Sequence, residues 1–114
     1  MEKIKFLNKL FSTADAEDVE YSSDGYELIL KFKDWQEKKW IIVFDDVEYL
    51  KVSDYINDEK YRYDSPQQVM NSELIRQLNL DEGIYKHYML CFNAWSNMEI
   101  ISQELKIKSF TENA

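Results

Sequence analysis

The only histidine and the only cysteine of the chain, His87 and Cys91, stand four residues apart in the stretch IYKHYMLCFNAW, Ile84 to Trp95. A thiol within hydrogen-bond reach of an imidazole is a candidate nucleophile, because the imidazole can take its proton and leave a thiolate. On a helix a spacing of four makes neighbours, with Cβ atoms about 5–6 Å apart. On a strand the same pair shares a face but is separated by about 13 Å, at roughly 3.3 Å per residue. Tyr85, Tyr88 and Phe92 favour a strand, while Met89 and Leu90 suit either element. The strand reading makes Cys91 a small buried hydrophobe and His87 a histidine hydrogen-bonded at a sheet edge. A distant nucleophile or carboxylate could join either one, but no spacing identifies it, so no catalytic residue is assigned.

Asp45 and Asp46 are the next candidates, since clustered carboxylates hold metals. In a strand adjacent side chains point to opposite faces, so these two suit a turn better than a shared ion. DYINDEKYRYD lacks the glycine and terminal glutamate of a calcium loop, and no HExxH or paired CxxC occurs. Glycines at positions 25 and 83 alone exclude a glycine-rich phosphate loop, and there is no GxSxG. Neither a metal nor a cofactor is expected.

The tyrosines offer binding chemistry instead. Tyr49, Tyr55, Tyr61 and Tyr63 alternate with Asp54, Asp58 and Glu59. Tyrosine combines a rigid apolar face with a polar tip and is enriched where proteins meet partners. These seven residues form a candidate surface for a basic protein partner, through steering and cation–π contact. The competing reading is a solvated loop whose tyrosines fold back over the core. Trp35 and Trp40 are expected in the core or packed on a turn. A net charge of −8, from 22 acids and 14 Lys and Arg, argues against nucleic-acid binding, which works by releasing counterions to basic groups. The same charge also serves solubility.

The elements that must position these groups can be read from periodicity. Ile4, Leu7, Leu10 and Phe11 suit a short amino-terminal helix over 2–12. Asp24-Gly25 is the preferred dipeptide of a two-residue hairpin. YELILKFK alternates as a half-buried strand, DWQEK is a four- or five-residue loop, and KWIIVF, apolar on both faces, is a strand from the middle of a sheet. DVEYLKVS continues the antiparallel run. In SPQQ, Ser65 can cap a helix, Pro66 fits its first position and Gln68 completes the box; Met70, Leu74 and Leu78 then recur at four-residue intervals. Strands over about 84–93 and 98–109 close the chain. The expected fold is a single α+β domain over 1–114. It has an antiparallel sheet of about five or six strands, open or curled, with one main helix packed on it and a short amino-terminal helix.

The lysines of MEKIKFLNKLF interrupt the apolar run that a secretory signal needs, WIIVF is far shorter than a membrane span, and the single cysteine cannot form an internal disulfide. A cytoplasmic protein without membrane attachment is expected.

The runs DWQEKKWIIVFDDVEYLKV and YKHYMLCFNAWSNMEIISQELKI resemble small acidic, uncharacterised bacterial domains in which a loop Trp, a strand Trp, FxDV and an EIIS cadence recur. Some families of this look are immunity proteins, which neutralise bacterial toxins. The likeness covers about residues 35–52 and 85–107 and implies no functional residue. The expected function is a non-catalytic protein-interaction module, immunity-like, holding a basic partner. The alternatives are a small-ligand domain or minor enzyme, with a pocket between sheet and helix gathering His87, Tyr88 and a carboxylate, or a structural subunit of an assembly.

Overall fold

The computed structural model describes residues 1–7, 9–54, 61 and 64–110. Its elements are β1 (Lys3–Phe6), β2 (Glu17–Ser23), β3 (Leu28–Lys33), β4 (Lys39–Phe44), β5 (Tyr49–Ser53), β6 (Pro66–Met70), α1 (Glu73–Gln77), β7 (Lys86–Cys91), β8 (Asn97–Ser102) and β9 (Leu105–Phe110). Period-two burial decides the architecture. In β3, Leu28, Leu30 and Phe32 are buried while Ile29, Lys31 and Lys33 turn away; in β4, Trp40, Ile42 and Phe44 are buried while Lys39, Ile41 and Val43 turn away. A strand with one buried face needs a second layer, and that layer is another sheet.

A four-stranded sheet has the order β2-β3-β4-β9, and a five-stranded sheet the order β1-β6-β7-β8-β5, with every pair antiparallel. Between them lies one core: Leu28, Leu30, Phe32, Trp40, Ile42 and Phe44 from the first, facing Tyr88, Leu90, Phe92, Met98 and Ile100 from the second. Edge-to-face rings join the layers, Phe44 with Tyr88 at 5.6 Å and Phe32 with Phe92 at 5.4 Å. Phe11, on the segment from β1 to β2, closes one end against Phe32 and Trp40. The Cα radius of gyration, 13.8 Å, is that of one compact unit of this length.

The α+β expectation is therefore overturned: nine strands in two sheets replace five or six, and α1 has only five residues. No main helix starts at Ser65. Pro66 instead opens β6, a position where its missing N–H costs no ladder bond. Gln67 and Val69 are buried and Met70 is exposed, so the true period is two, and pairing with β1 and β7 on either side fixes it. The amide of Gln67 can be buried because its Nε2 donates to the Ser65 carbonyl, at 3.0 Å. Met70 and Leu78, each 40% exposed, are not core residues.

The amino-terminal helix is also absent, since Lys3–Phe6 extend to pair with β6. The 98–109 segment is two strands, and between them Gln103 and Glu104 carry the chain from one sheet to the other. Asp24-Gly25 does make a turn, with Gly25 at φ 91°, but the loop spans four residues: Ser23 pairs with Leu28, and Asp24 Oδ1 accepts from the amides of Tyr26 and Glu27. DWQEK is the expected loop, five residues between Lys33 and Lys39, and KWIIVF is the expected interior strand.

Candidate functional site

His87 and Cys91 lie on the extended strand β7, on the face turned away from the sandwich core. The two therefore cannot cooperate. Cys91 is 1% exposed, and burial pushes its thiol up from 9.0 to about 11, which keeps it protonated at neutral pH. β7 is the central strand of its sheet, so His87 is not at an edge, contrary to expectation. Its ring joins two groups that spacing alone did not identify. Nδ1 lies 2.7 Å from Ser72 Oγ, and Nε2 lies 2.7 Å from Glu99 Oε2.

Each partner arrives through a different element. Glu99 stands across from Met89 on β8, one rung along from His87, and reaches it diagonally. Ser72 follows the left-handed turn at Asn71 (φ 57°) and caps α1, its Oγ accepting from the Ile75 amide at 3.2 Å. A carboxylate can only accept, so Nε2 carries a proton; in the neutral ring Nδ1 then accepts from the serine hydroxyl. This Ser–His–Glu chain has the members of a hydrolytic triad. Ser72, however, is 1% exposed, and its oxygen is already engaged on both sides. The chain is built as a brace that pins α1 and its cap onto the sheet.

The space beside the brace is small. A recess of about 140 Å3 is lined by Gln68, Asn71, Ser72, Ile75, Tyr85 and Lys86 among others, against about 300–1,000 Å3 for sites that take small molecules. The pocket expected to gather His87 and Tyr88 does not form, because alternation sends Tyr88 into the sandwich against Phe44, where burial raises its phenol to about 12.

Asp45 and Asp46 do sit in a turn, Asp46 at φ 51°, and their carboxylates go to different partners. Asp45 pairs with Lys106 at 3.1 Å. Asp46 accepts from Tyr85 Oη at 2.7 Å and from Gln103 Nε2 at 2.6 Å, with Glu48 3.4 Å from the same phenol. Asp46 holds the Tyr85 phenol above its ordinary value. Among the described residues no three His, Cys, Asp or Glu side chains converge as a metal site would require.

Of the seven residues proposed from sequence, Tyr49 is half-buried on β5, Asp54 is exposed just after it and Tyr61 is half-buried. Tyr55, Asp58, Glu59 and Tyr63 lie outside the described residues. The structure adds Asp46, Glu48 and Tyr85 at the start of β5, beside Tyr49 and at the opposite end of that strand from Asp54. Trp40 is in the core as expected, its Nε1 donating to the buried Asp34, whereas Trp35 is 58% exposed in the turn between β3 and β4. No helix among the described residues is long and apolar enough to cross a membrane.

Sequence reasoning missed a second charged surface altogether. The outer face of the four-stranded sheet carries Lys31 and Lys33 from β3, Lys39 from β4, and Lys106 and Lys108 from β9. The signal was present as lysine alternation in LILKFK and LKIKSF, but only the strand order makes these runs near neighbours. Compared with protein-family models, curated proteins and solved structures, the chain matches none of them.

Proposed function

We propose that the chain is a non-catalytic protein-binding domain of a bacterial cytoplasm, which holds a basic partner in the manner of an immunity protein. Its contact surface runs along the edge strand β5, from Asp46, Glu48, Tyr49 and Tyr85 at its start to Asp54 just past its last residue. The observation that carries this reading is the gathering of Asp46, Glu48 and Tyr85 by direct contact beside the strand that bears Tyr49 and leads to Asp54. Carboxylates next to phenol rings suit lysine and arginine, which can pair with the one and stack on the other. A net charge of −8 would add long-range steering. The groups with intrinsic reactivity are committed elsewhere, Ser72 and His87 to the brace and Cys91 to a buried face.

The test is retention of a partner from bacterial lysate on the immobilised domain at about 50 mM and about 500 mM salt, a range over which surface charge is progressively screened. Retention at low salt that is lost at high salt, and lost in the Asp46→Asn/Glu48→Gln/Asp54→Asn variant, supports the reading. Retention indifferent to both, or none at all, refutes it.

A further inference from the structure

The lysine face opposes the chain's overall charge and has a specific construction. Lys33 and Lys39 stand directly opposite each other in the β3–β4 ladder, an arrangement of like charges that weakens a sheet. Lys31 and Lys108 flank Ile41 on its two sides, and Lys106 flanks Val43, which faces Ile29 across the ladder. The result is a half-buried apolar floor of Ile29, Ile41 and Val43 with lysines along it. Lys33 is paired with Glu17 at 3.3 Å and Lys106 with Asp45 at 3.1 Å. Lys31 and Lys108 are exposed and make no ion pair among the described residues.

The face is not flat. β2 shifts register between Glu17 and Glu20, with Asp18 at φ 54°, and beside this irregularity two concavities of about 250 and 220 Å3 meet at Glu20 and Lys31. Together they form a trough over β3, floored by Ile29 and Ile41.

We infer that this trough is a second binding surface, for a protein segment that presents carboxylates around apolar side chains. Charge complementarity sets the sign of the partner. The chemistry of the surroundings sets its class. A phosphodiester chain has no apolar side chains and would leave the isoleucine floor unused, while Asp18 and Glu20 disfavour any anion along the β2 side and so confine a partner's carboxylates to the lysines on the β4 and β9 side. A peptide strand can place an apolar side chain on that floor and a carboxylate at Lys31 or Lys108 when the two stand two residues apart, since residues i and i+2 share a face. This inference stands independently of the β5 surface, which lies on the other sheet and selects the opposite charge.

The test is a heteronuclear NMR titration of the 15N-labelled domain with the peptide acetyl-ESVSESV-amide, whose Glu and Val share one strand face, with acetyl-ESSSESS-amide, with a lysine-rich peptide and with oligo-dT. The acidic apolar peptide is expected to shift amides of β3, β4 and β9. Its affinity should fall at least tenfold in the Lys31→Gln/Lys108→Gln variant, which breaks no ion pair of the fold, and in Ile41→Ser. The inference is overturned by shifts confined to other strands, by equal binding of the serine peptide or of oligo-dT, or by no loss in either variant. Shifts around β5 with the lysine-rich peptide report on the acidic surface alone, so the two readings fail separately.

Discussion

Replacing Ser72 by alanine tests the brace at its most connected atom. The hydroxyl does two things: it accepts the Ile75 amide as the helix cap and, to a neutral ring protonated at Nε2, donates to His87 Nδ1. Losing a serine cap costs about 1 kcal/mol. Leaving a buried acceptor without a donor costs about 1–3 kcal/mol, and His87 at 4% exposure has little access to water as a substitute. The sum, about 2–4 kcal/mol, corresponds to a drop of roughly 10 °C in Tm for a domain of this size. Urea denaturation should give the free energy with an unchanged slope, and hydrogen exchange should show the Ile75 amide losing protection. The companion is the Ser72→Ala/His87→Leu double variant. If the two side chains are coupled, its cost falls short of the sum of the single costs by about 1 kcal/mol. A Ser72→Ala change within about 0.5 kcal/mol of the parent, or strict additivity in the double variant, would refute the brace. So would a covalent fluorophosphonate adduct on Ser72, because a hydroxyl locked between an amide and an imidazole cannot meet such a probe.

Two further outcomes follow from buried groups. Asp34 is 4% exposed and accepts from Gln36 N, Lys38 N and Trp40 Nε1 at 2.9 Å each, so Asp34→Ala should cost about 3 kcal/mol, at about 1 kcal/mol per bond, and shift Trp fluorescence to the red in equilibrium unfolding experiments at low denaturant. Cys91 and Tyr88 favour their protonated forms in the fold, with values raised from 9.0 to about 11 and from 10.0 to about 12. The stability they contribute is complete below pH 9 and drains away as pH rises through those raised values. Thermal melts between pH 8 and 12 should therefore fall, the lower part of the fall disappearing in Cys91→Ala, and native Cys91 should resist a thiol reagent at pH 8 until urea is added.

How much of this could be read from the chain depended on whether a local pattern had a single meaning. LILKFK and KWIIVF alternate cleanly, and both became strands with the expected faces; the strand reading of the segment around His87 also held, which kept His87 and Cys91 apart. SPQQVMNSELIRQLNL failed because two patterns overlap in it. Its apolar spacing of four and its capping residues suit a helix, yet Gln67 and Val69 alternate as a strand does, and the ladders to β1 and β7 decided between them. The real cap, Ser72, lies seven residues further on and serves a helix of five. Neither Ser72 nor Glu99 carried a signal toward His87, since that contact depends on β6, α1, β7 and β8 all being in place. The division into two sheets was equally hidden. It rests on β4 pairing with β9 rather than with β5, although the latter follows it after only four residues.

The lysine face shows what a net charge averages over. A sum of −8 governs the field felt far from the molecule, where individual charges merge. Recognition happens within a screening length, about 8–10 Å at physiological salt, and strands in a sheet are only about 4.8 Å apart. At that range a partner over β3, β4 and β9 meets five lysines, with Glu17, Asp18 and Glu20 at the β2 margin and Asp45 against Lys106, and the more distant acids are largely screened. Net charge describes the average of the surface, whereas strand order decides which charges a partner meets at close range. That reasoning ties the sign of the partner to strand order, because if β9 lay beside β5 instead of β4 the same lysines would be divided between two sheets and no such face would exist.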